Sequence, residues 1–413
     1  MDVRGSAVLW LFPMNRQNLA HTVRGSLVRL PPPYDGHYGV VPAAPPEGHV
    51  DLSGVLDRLV EASAAIERVG AIAREMHDPY LISRILVRQE AVSSSAIENT
   101  NSTLDELLTA DDVLDQPDDQ NRIASQVRQV RDYALLLDRL VPQAVEQGDA
   151  IFSLDLIRRL HAEVMRGDPD YEDVPGELRQ IVVWIGGLGQ ISRSTWNPPP
   201  PDRVRACLDQ TIDYLRNEGM QSMTQNLVVR MAIAHTHFEA VHPFRDGNGR
   251  VGRLLLPLMM AAGGAIPLYV SPFIDANKAA YYEALKRAQQ RLEWYAIIGF
   301  IADAIVATAD ELDLTRAALT RLRGEWLGRR RFRRNAASTR ALDLLPHYPI
   351  LTVRRLAAIL GVTFTQATQA VEQLVDVGIL TERTGYARNR IFVANEVLAI
   401  VNRPFGRDPR ETR

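Results

Sequence analysis

The chain has 413 residues, 46% hydrophobic and 23% charged, with a formal net charge of −3. That length suffices for two or three domains, and the composition is that of an ordinary globular protein. A single cysteine, Cys207, excludes an internal disulfide and fits a reducing compartment. Its place among apolar helix positions makes it a packing residue. The apolar run Ala7 to Phe12 is too short to span a bilayer and lacks a signal-peptide frame. No other stretch reaches spanning length without charges, so the expectation is a cytoplasmic protein with no membrane partner.

Residues 21–50 are rich in Pro and Gly and read as an extended arm, not a core element. Helical periodicity runs from about Leu52 to Ala73, and a second helix from about Pro79 to Ala91. Next comes Ser93-Ser94-Ser95-Ala96-Ile97-Glu98-Asn99. Ser95-x-x-Glu98 has the form of a capping box that would start a helix. The overlapping Ser94-x-x-x-Glu98-Asn99 is the alternative motif in the same stretch. Asp111, Asp112, Asp115, Asp118 and Asp119 around Pro117 read as a solvated acidic loop. Helices are predicted at about Asn121–Gln147 and Leu154–Arg166, the second carrying His161 as a surface or packing histidine. Gly167 and Pro169 end it.

The texture then changes. The β-branched run Ile181 to Ile185, the turn Gly186-Gly187-Leu188-Gly189 and the return Ile191 to Trp196 predict a β-hairpin inserted among helices. Such a hairpin either caps the core or orders a peptide by strand addition at its edge. Helices resume at Pro201–Asn217 and Gln225–Ala240. His235, His237 and Glu239 on the latter, with His242, suggest a zinc site. Their spacing argues against it, because residues two apart on a helix do not face each other.

His242-Pro243-Phe244-Arg245-Asp246-Gly247-Asn248-Gly249-Arg250-Val251-Gly252-Arg253 is the densest polar block. It lies between apolar helical runs and opens the second of them. Gly247, Asn248 and Gly249 suit φ > 0 and can turn successive N–H groups toward one point. The helix start adds free N–H groups and the positive dipole end, a site for phosphate. Arg250 and Arg253, three apart, share a helix face and can close on one polyphosphate. Asp246 is a hard oxygen ligand of the kind Mg²⁺ takes. His242 has an ordinary pKa near ~6.5 and can accept a proton at neutral pH. Pro243 stiffens the approach, and Phe244 points inward to hold the loop down.

Beyond the block, Ser271-Pro272-Phe273-Ile274 leads into a helix at about Ala276–Arg291, with Asn277 and Tyr281 near its start. A helix from Trp294 to Ala309 closes the core, and another continues to about Trp326. Arg329 to Arg413 holds 15 Arg against 7 Asp and Glu, a net +8 in a chain whose total is −3. This tail reads as a winged helix. Ser338–Leu345 forms its first helix, Thr352 caps Val353–Leu360, and Thr365 opens a third helix to Val377. Two strands, Ile379–Glu382 and Arg390–Val393, flank a turn with Gly385 and Asn389. The form suits DNA, but winged helices also serve as dimer or peptide modules. Gln366, Gln369 and Gln373 are not basic, so phosphate affinity would rest on the wing and the arginine run.

The twelve-residue block resembles the signature of the Fic family, His-x-Phe-x-Asp/Glu-Gly-Asn-Gly-Arg-x-x-Arg, at every specified position. Proteins of that family mostly transfer AMP from ATP to a hydroxyl side chain of a target protein. The resemblance implies that His242 deprotonates the hydroxyl and that Asp246 holds Mg²⁺. It assigns the Gly247–Gly249 loop and Arg250 to the α- and β-phosphates and Arg253 to the γ-phosphate, with Phe244 and Arg245 in the same nucleotide-binding loop. Ser94, Glu98 and Asn99 resemble the family's inhibitory motif, in which the glutamate pairs with the second signature arginine, here Arg253. The Trp-Ile-Gly-Gly wording resembles the family's flap and would lay Val183, Trp184, Ile185 and Gly186 over the nucleotide or the target hydroxyl. Adenine and ribose would lie near Asn277 or Tyr281.

The fold expected is therefore mostly α: a Fic-fold helical core with a β-hairpin flap and a C-terminal winged helix-turn-helix domain. The divisions expected are an arm at 1–50, a helical region with the inhibitory motif at 51–150, and a catalytic core at 151–310. A helical linker with the basic run at 311–334 and the winged helix at 335–413 follow. The partners expected are ATP, a protein bearing a Ser, Thr or Tyr hydroxyl, DNA through the winged helix, and a second copy through the helical core. Two other functions compete with AMP transfer. One is transfer of a different phosphate-containing group. The other is a nucleotide-sensing DNA-binding regulator, which would have no need of His242.

Overall fold

A computed structural model describes residues 14–46, 48, 50–75, 79–113, 124–218, 226–384 and 390–409. The chain is mostly helical. Helix α1 (His21–Gly25) leads to the antiparallel strands β1 (Leu27–Arg29) and β2 (Tyr38–Val40). Four helices follow: α2 (Leu56–Glu75), α3 (Pro79–Ile97), α4 (Leu104–Val113) and α5 (Ser125–Gln147). After α6 (Leu154–Val164) comes a hairpin of β3 (Ile185–Gly186) and β4 (Ser194–Trp196). Next are α7 (Pro201–Leu215), α8 (Leu227–Val241), α9 (Asn248–Ala262), α10 (Ser271–Ala276), α11 (Lys278–Arg291) and the long α12 (Trp294–Arg329). The tail holds α13 (Ala337–Leu344), β5 (Ile350–Thr352), α14 (Val353–Leu360), α15 (Phe364–Asp376), β6 (Thr381–Glu382), β7 (Ile391–Val393) and α16 (Asn395–Val401).

Two compact units result. One joins the described residues up to Ala73 with Leu135–Val306, and the other joins Arg74–Ala134 with Ala307–Arg413. The first is organised around α8, whose residues Val228 to Val241 are all buried. A helix apolar on every side belongs inside a core. Helix α8 packs against α7, α9 and α11, and α6 packs against α9. Asn226 caps α8, its Oδ1 accepting from the N–H of Val228 (3.0 Å) and Val229 (3.3 Å).

In the second unit Trp326, Leu342, Leu351, Leu356, Leu374 and Phe392 share one core. Trp326 is fully buried and donates through Nε1 to Glu396 (2.8 Å). Helices α13, α14 and α15 pack on one another, and the three strands pair antiparallel in the order β5-β7-β6. Thr363 caps α15 in a reciprocal box with Gln366, so that helix starts before Thr365, where sequence alone placed it.

Several sequence expectations change. Residues 21–50 do reach a core: Val23 and Val40 pack with Leu19, Trp196 and Ala240. Ser95 lies inside α3 and starts no helix. The capping pair is Thr103 with Glu106 at the head of α4, whose side chains and N–H groups bond reciprocally. Helix α3 instead ends at Ile97, and two residues on Asn99 turns the chain with φ 63°, a left-handed conformation that Asn tolerates. The helix expected at about 276–291 is α11, starting at Lys278 after the separate short α10, and the two expected from 294 to 326 are one. Strand β3 is only two residues long, and Val183 and Trp184 precede it. The Ala7 to Phe12 run, Asp115 to Asp119 and the Gly385–Asn389 turn lie outside the described residues. Among the described residues no helix is long and apolar enough to cross a membrane.

Asp111 is not a solvated loop residue. It is buried on α4 and accepts from Arg84 (3.0 Å), Arg88 (2.9 Å) and Arg131 (3.2 Å). Helices α3, α4 and α5 are thus tied to one carboxylate. Removing one partner from a buried ion cluster leaves the others desolvated without compensation. Asp111→Asn is expected to destabilise the second unit by about 3–5 kcal/mol, read as a lowered urea midpoint.

Candidate active site

Helix α8 ends at His242, which takes φ 49° and ψ 63° while its N–H still donates to Phe238 (2.9 Å). The chain thereby turns sharply, and the His242 side chain is left 19% exposed at the end of a buried helix. Helix α9 begins five residues after Pro243, capped by Gly247 at φ 75°. A Cβ on Gly247 would meet Met165 Sδ at 2.7 Å, so this glycine is required by both dihedral and space. Of the three residues expected to use positive φ, only Gly247 does; Asn248 and Gly249 form the first turn of α9. Asn248 closes the loop from inside. Its Oδ1 accepts from the Phe244 N–H (2.9 Å) and its Nδ2 donates to the Phe244 carbonyl (2.8 Å). Aspartate cannot make the second of these bonds.

Phe244 is fully buried and stacks on His161, ring centroids 3.8 Å apart and 7° from parallel. His161 Nδ1 accepts from the Gly176 N–H (2.8 Å), so Nε2 carries the proton and donates to the Asp246 carbonyl (3.1 Å). Burial pushes the His161 pKa down to about 4, which keeps this ring neutral. Arg179, also buried, donates from Nε to the His242 carbonyl (2.7 Å), from Nη1 to Ile181 (3.0 Å), and from Nη2 to Pro199 (2.7 Å) and Val241 (3.3 Å). The hairpin is pinned to the same helix end, since Trp196 Nε1 donates to the Ala240 carbonyl (3.0 Å).

Two arginines of α9 are buried, Arg250 at 4% and Arg253 at 1% exposure. Arg250 donates to the Met165 thioether (3.1 Å), and its Nε has no partner among the described residues. A thioether is a weak acceptor, so this is a desolvated cation at a helix N-terminus, an arrangement that favours an anion. Asp246 is exposed, its Oδ1 accepting from the Gly247 N–H (2.6 Å).

This constellation lies within a family match. Residues 151–260 match the Fic/DOC family, and residues 56–138 match the Fic/DOC family N-terminal region. Over these two segments the chain is similar to the Fic/DOC family. A probable protein adenylyltransferase of Aquifex aeolicus is 29% identical over 205 residues, 50% of this chain and 56% of that protein. Protein adenylyltransferase fic-1 of Caenorhabditis elegans is 34% identical over 133 residues, 32% of this chain and 23% of that protein. The chain therefore spans about half or less of these relatives. The crystal structure of a Fic family protein from Desulfovibrio desulfuricans shares the fold, with a TM-score of 0.51 at 21% identity, covering 84% of this chain and 98% of that one.

The other residues singled out in the Fic pattern are placed as follows. Arg245 lies at the surface, ion-paired to Glu172 and to Asp173 (3.2 Å). Tyr281 is buried, its hydroxyl 2.6 Å from His235 Nε2. His235 Nδ1 faces the Gly252 carbonyl (3.0 Å), an acceptor only, so Nδ1 donates there and Nε2 accepts from Tyr281. Tyr281 thus braces α8 against α11 beneath α9. Asn277, between α10 and α11, donates to the Phe273 carbonyl (2.9 Å). In the flap, Trp184 meets Tyr34 edge-on at 5.5 Å, and Ile185 and Gly186 pair with β4. In the other unit Ser94 is fully buried near the end of α3, Glu98 is half-buried, and Asn99 is exposed.

Sequence reasoning did not single out Arg179, Met165 or the loop-holding role of His161. Gly176, at φ 93° with its Cβ position 2.9 Å from the Arg158 carbonyl, is the one local signal that this segment is tightly held. Burial also lowers His235 and His237 to about 4. These folded-state values lie below the ordinary 6.5, so only the unfolded chain takes protons between about 6.5 and 4. Stability should therefore fall as pH drops through that window. Urea midpoints between pH 6.5 and 5, above most carboxylate titrations, should show the slope, and His161→Gln should reduce it.

Proposed function

We propose that this protein transfers AMP from ATP to a Ser, Thr or Tyr hydroxyl of a target protein. The observation that carries the reading is Arg250, a buried guanidinium held by a thioether beside the first turn of α9. Triphosphate oxygens would give it the charge-assisted acceptors it lacks. The names of the relatives agree with this chemistry.

In the proposed reaction His242 Nε2 takes the hydroxyl proton, and the freed oxygen attacks the α-phosphorus of ATP. The bond from that phosphorus to the bridging oxygen breaks, and pyrophosphate leaves with the electron pair. Arg250 and the α9 N–H groups hold the phosphates, and Arg253 holds the terminal one. Such transfer asks for positioning and charge neutralisation more than for covalent chemistry by the protein. Asp246 fits Mg²⁺: it is an exposed carboxylate just before the start of α9, where the phosphates would lie. A Mg²⁺ ion typically takes one or two carboxylates plus phosphate oxygens and water. When bound, it would offset charge on the departing pyrophosphate. The hairpin residues Val183 to Gly186 would order the target by backbone pairing, which demands little of its sequence. The single cysteine agrees with a reducing, cytoplasmic setting.

Glu98 is the proposed brake. A carboxylate bidentate to Arg253 competes with the γ-phosphate for the same donors. The support is the Ser94-x-x-x-Glu98-Asn99 motif upstream of a complete signature.

The tail at 335–413 we read as a winged helix, on the order helix, strand, two helices, two strands. A DNA role has less support than its net charge suggests. Arg329 pairs with Glu396 (2.5 Å), Arg383 with Asp105 (2.9 Å), Arg390 with Glu382 (3.3 Å), and Arg403 with Glu311. Arginines already neutralised within the chain release fewer counterions from DNA.

Incubation with Mg²⁺ and α-labelled ATP, followed by intact mass, tests the reading. An AMP-sized gain is expected on the protein or an added target. It should grow in Glu98→Gly and fall by roughly 10²-fold or more in His242→Ala. Arg250→Ala should raise the KM for ATP as well. No gain in any variant, with nucleotide still bound, would favour another phosphate-containing donor.

A further inference from the structure

We infer that Glu239 is the positioning residue of His242, and that Gly252 exists to admit its carboxylate. This inference rests on the proposed role of His242 as the base and names what sets that base.

Glu239 lies on the last turn of α8, three residues before His242, and therefore on the same side of the helix. Its side chain is 9% exposed, and its Oε2 lies 4.0 Å from His242 Nδ1. The carboxylate reaches across to α9 at Gly252. A Cβ built there would fall onto Glu239 Oε1 and lie 3.2 Å from His235 Cε1. Any side chain at 252 would displace the carboxylate or push α8 and α9 apart. Gly252 is inside α9 and has no positive φ, so conformational freedom does not explain it. Space for the Glu239 carboxylate and the His235 ring does.

The chemical consequence concerns the two nitrogens of His242. A carboxylate facing Nδ1 favours the tautomer protonated there, which leaves the Nε2 lone pair to take the hydroxyl proton. It also stabilises the imidazolium formed when that proton arrives, because opposite charges within about 4–6 Å favour the charged form. His235, on the same face of α8, does not supply that charge: both its nitrogens are engaged, and burial keeps it neutral. The other charged groups around His242 are Arg179, whose Nε donates to the His242 carbonyl, Arg245 and Asp246 on the loop, and Arg250 and Arg253 on α9. All five are retained in the variants below.

The test uses the full chain with ¹³C-labelled histidine. The His242 resonance is assigned by its loss in His242→Ala and followed with pH by NMR. In Glu239→Gln the titration midpoint of His242 should fall by about one pH unit, and Gly252→Ala should lower it in the same direction. Glu239→Asp, which keeps the charge one methylene farther back, should fall between wild type and Glu239→Gln. In the α-labelled ATP assay Glu239→Gln should lower kcat roughly tenfold with an unchanged KM for ATP, as expected for a lost proton-transfer partner. An unchanged His242 midpoint in folded Glu239→Gln or Glu239→Asp would overturn the inference, even if wild type transfers AMP. A lowered midpoint in a protein that transfers no AMP would uphold the pairing and overturn the proposed reaction instead.

Discussion

The site depends on one buried cation that never meets a carboxylate. Arg179 donates to four backbone carbonyls: two at the end of α8, one at the root of the flap and one before α7. Burying a guanidinium costs several kcal/mol unless its donors are satisfied. Here the acceptors include Val241 and His242, carbonyls at the negative end of a helix dipole. Burial pulls the Arg179 pKa only to about 10, so the charge persists at neutral pH. One side chain thereby fixes the backbone that carries His242 and the segment that leads to the hairpin. Its own N–H donates to the Pro243 carbonyl (3.0 Å) as well.

Arg250 shows the opposite use of the same residue type. Both arginines are buried, and both lie within the Fic/DOC match. Arg179 is saturated by carbonyls fixed in the fold, so it is part of the scaffold. Arg250 has a thioether and an Nε without a partner among the described residues, so its desolvation is not offset by the chain itself. The distinction lies in the acceptors and not in burial or charge.

Much of this was legible in the sequence because the signature block is local. His242, Asp246, Gly247, Asn248, Arg250 and Arg253 are neighbours in the chain, and the helix start that gathers them is set by Gly247 and Asn248. What supports the block was not legible. His161 is 85 residues from the carbonyl it holds, and Arg179 is 63 from His242. No periodicity encodes such pairs. The buried role of Asp111 was missed for a related reason. Its three arginine partners lie 20 to 27 residues away, and a run of aspartates looks alike whether solvated or paired. The short strands were over-read because β-branched residues at 181–183 favour strand by propensity, while pairing begins only at Ile185.

The histidines carry the same lesson into chemistry. His161, His235 and His237 are buried, neutral by desolvation, and engaged with Asp246, Gly252 and Thr211. The two-residue spacing of His235 and His237 and the neutral packing of all three suit a framework. His242 differs by one backbone fact: the helix ends at it, with φ 49°, and its ring is therefore the one left partly open to solvent. A histidine one turn earlier would have been another core residue. The exposure of this ring follows from where α8 stops, and α8 stops there because Pro243 lacks the N–H and the conformational range to continue it.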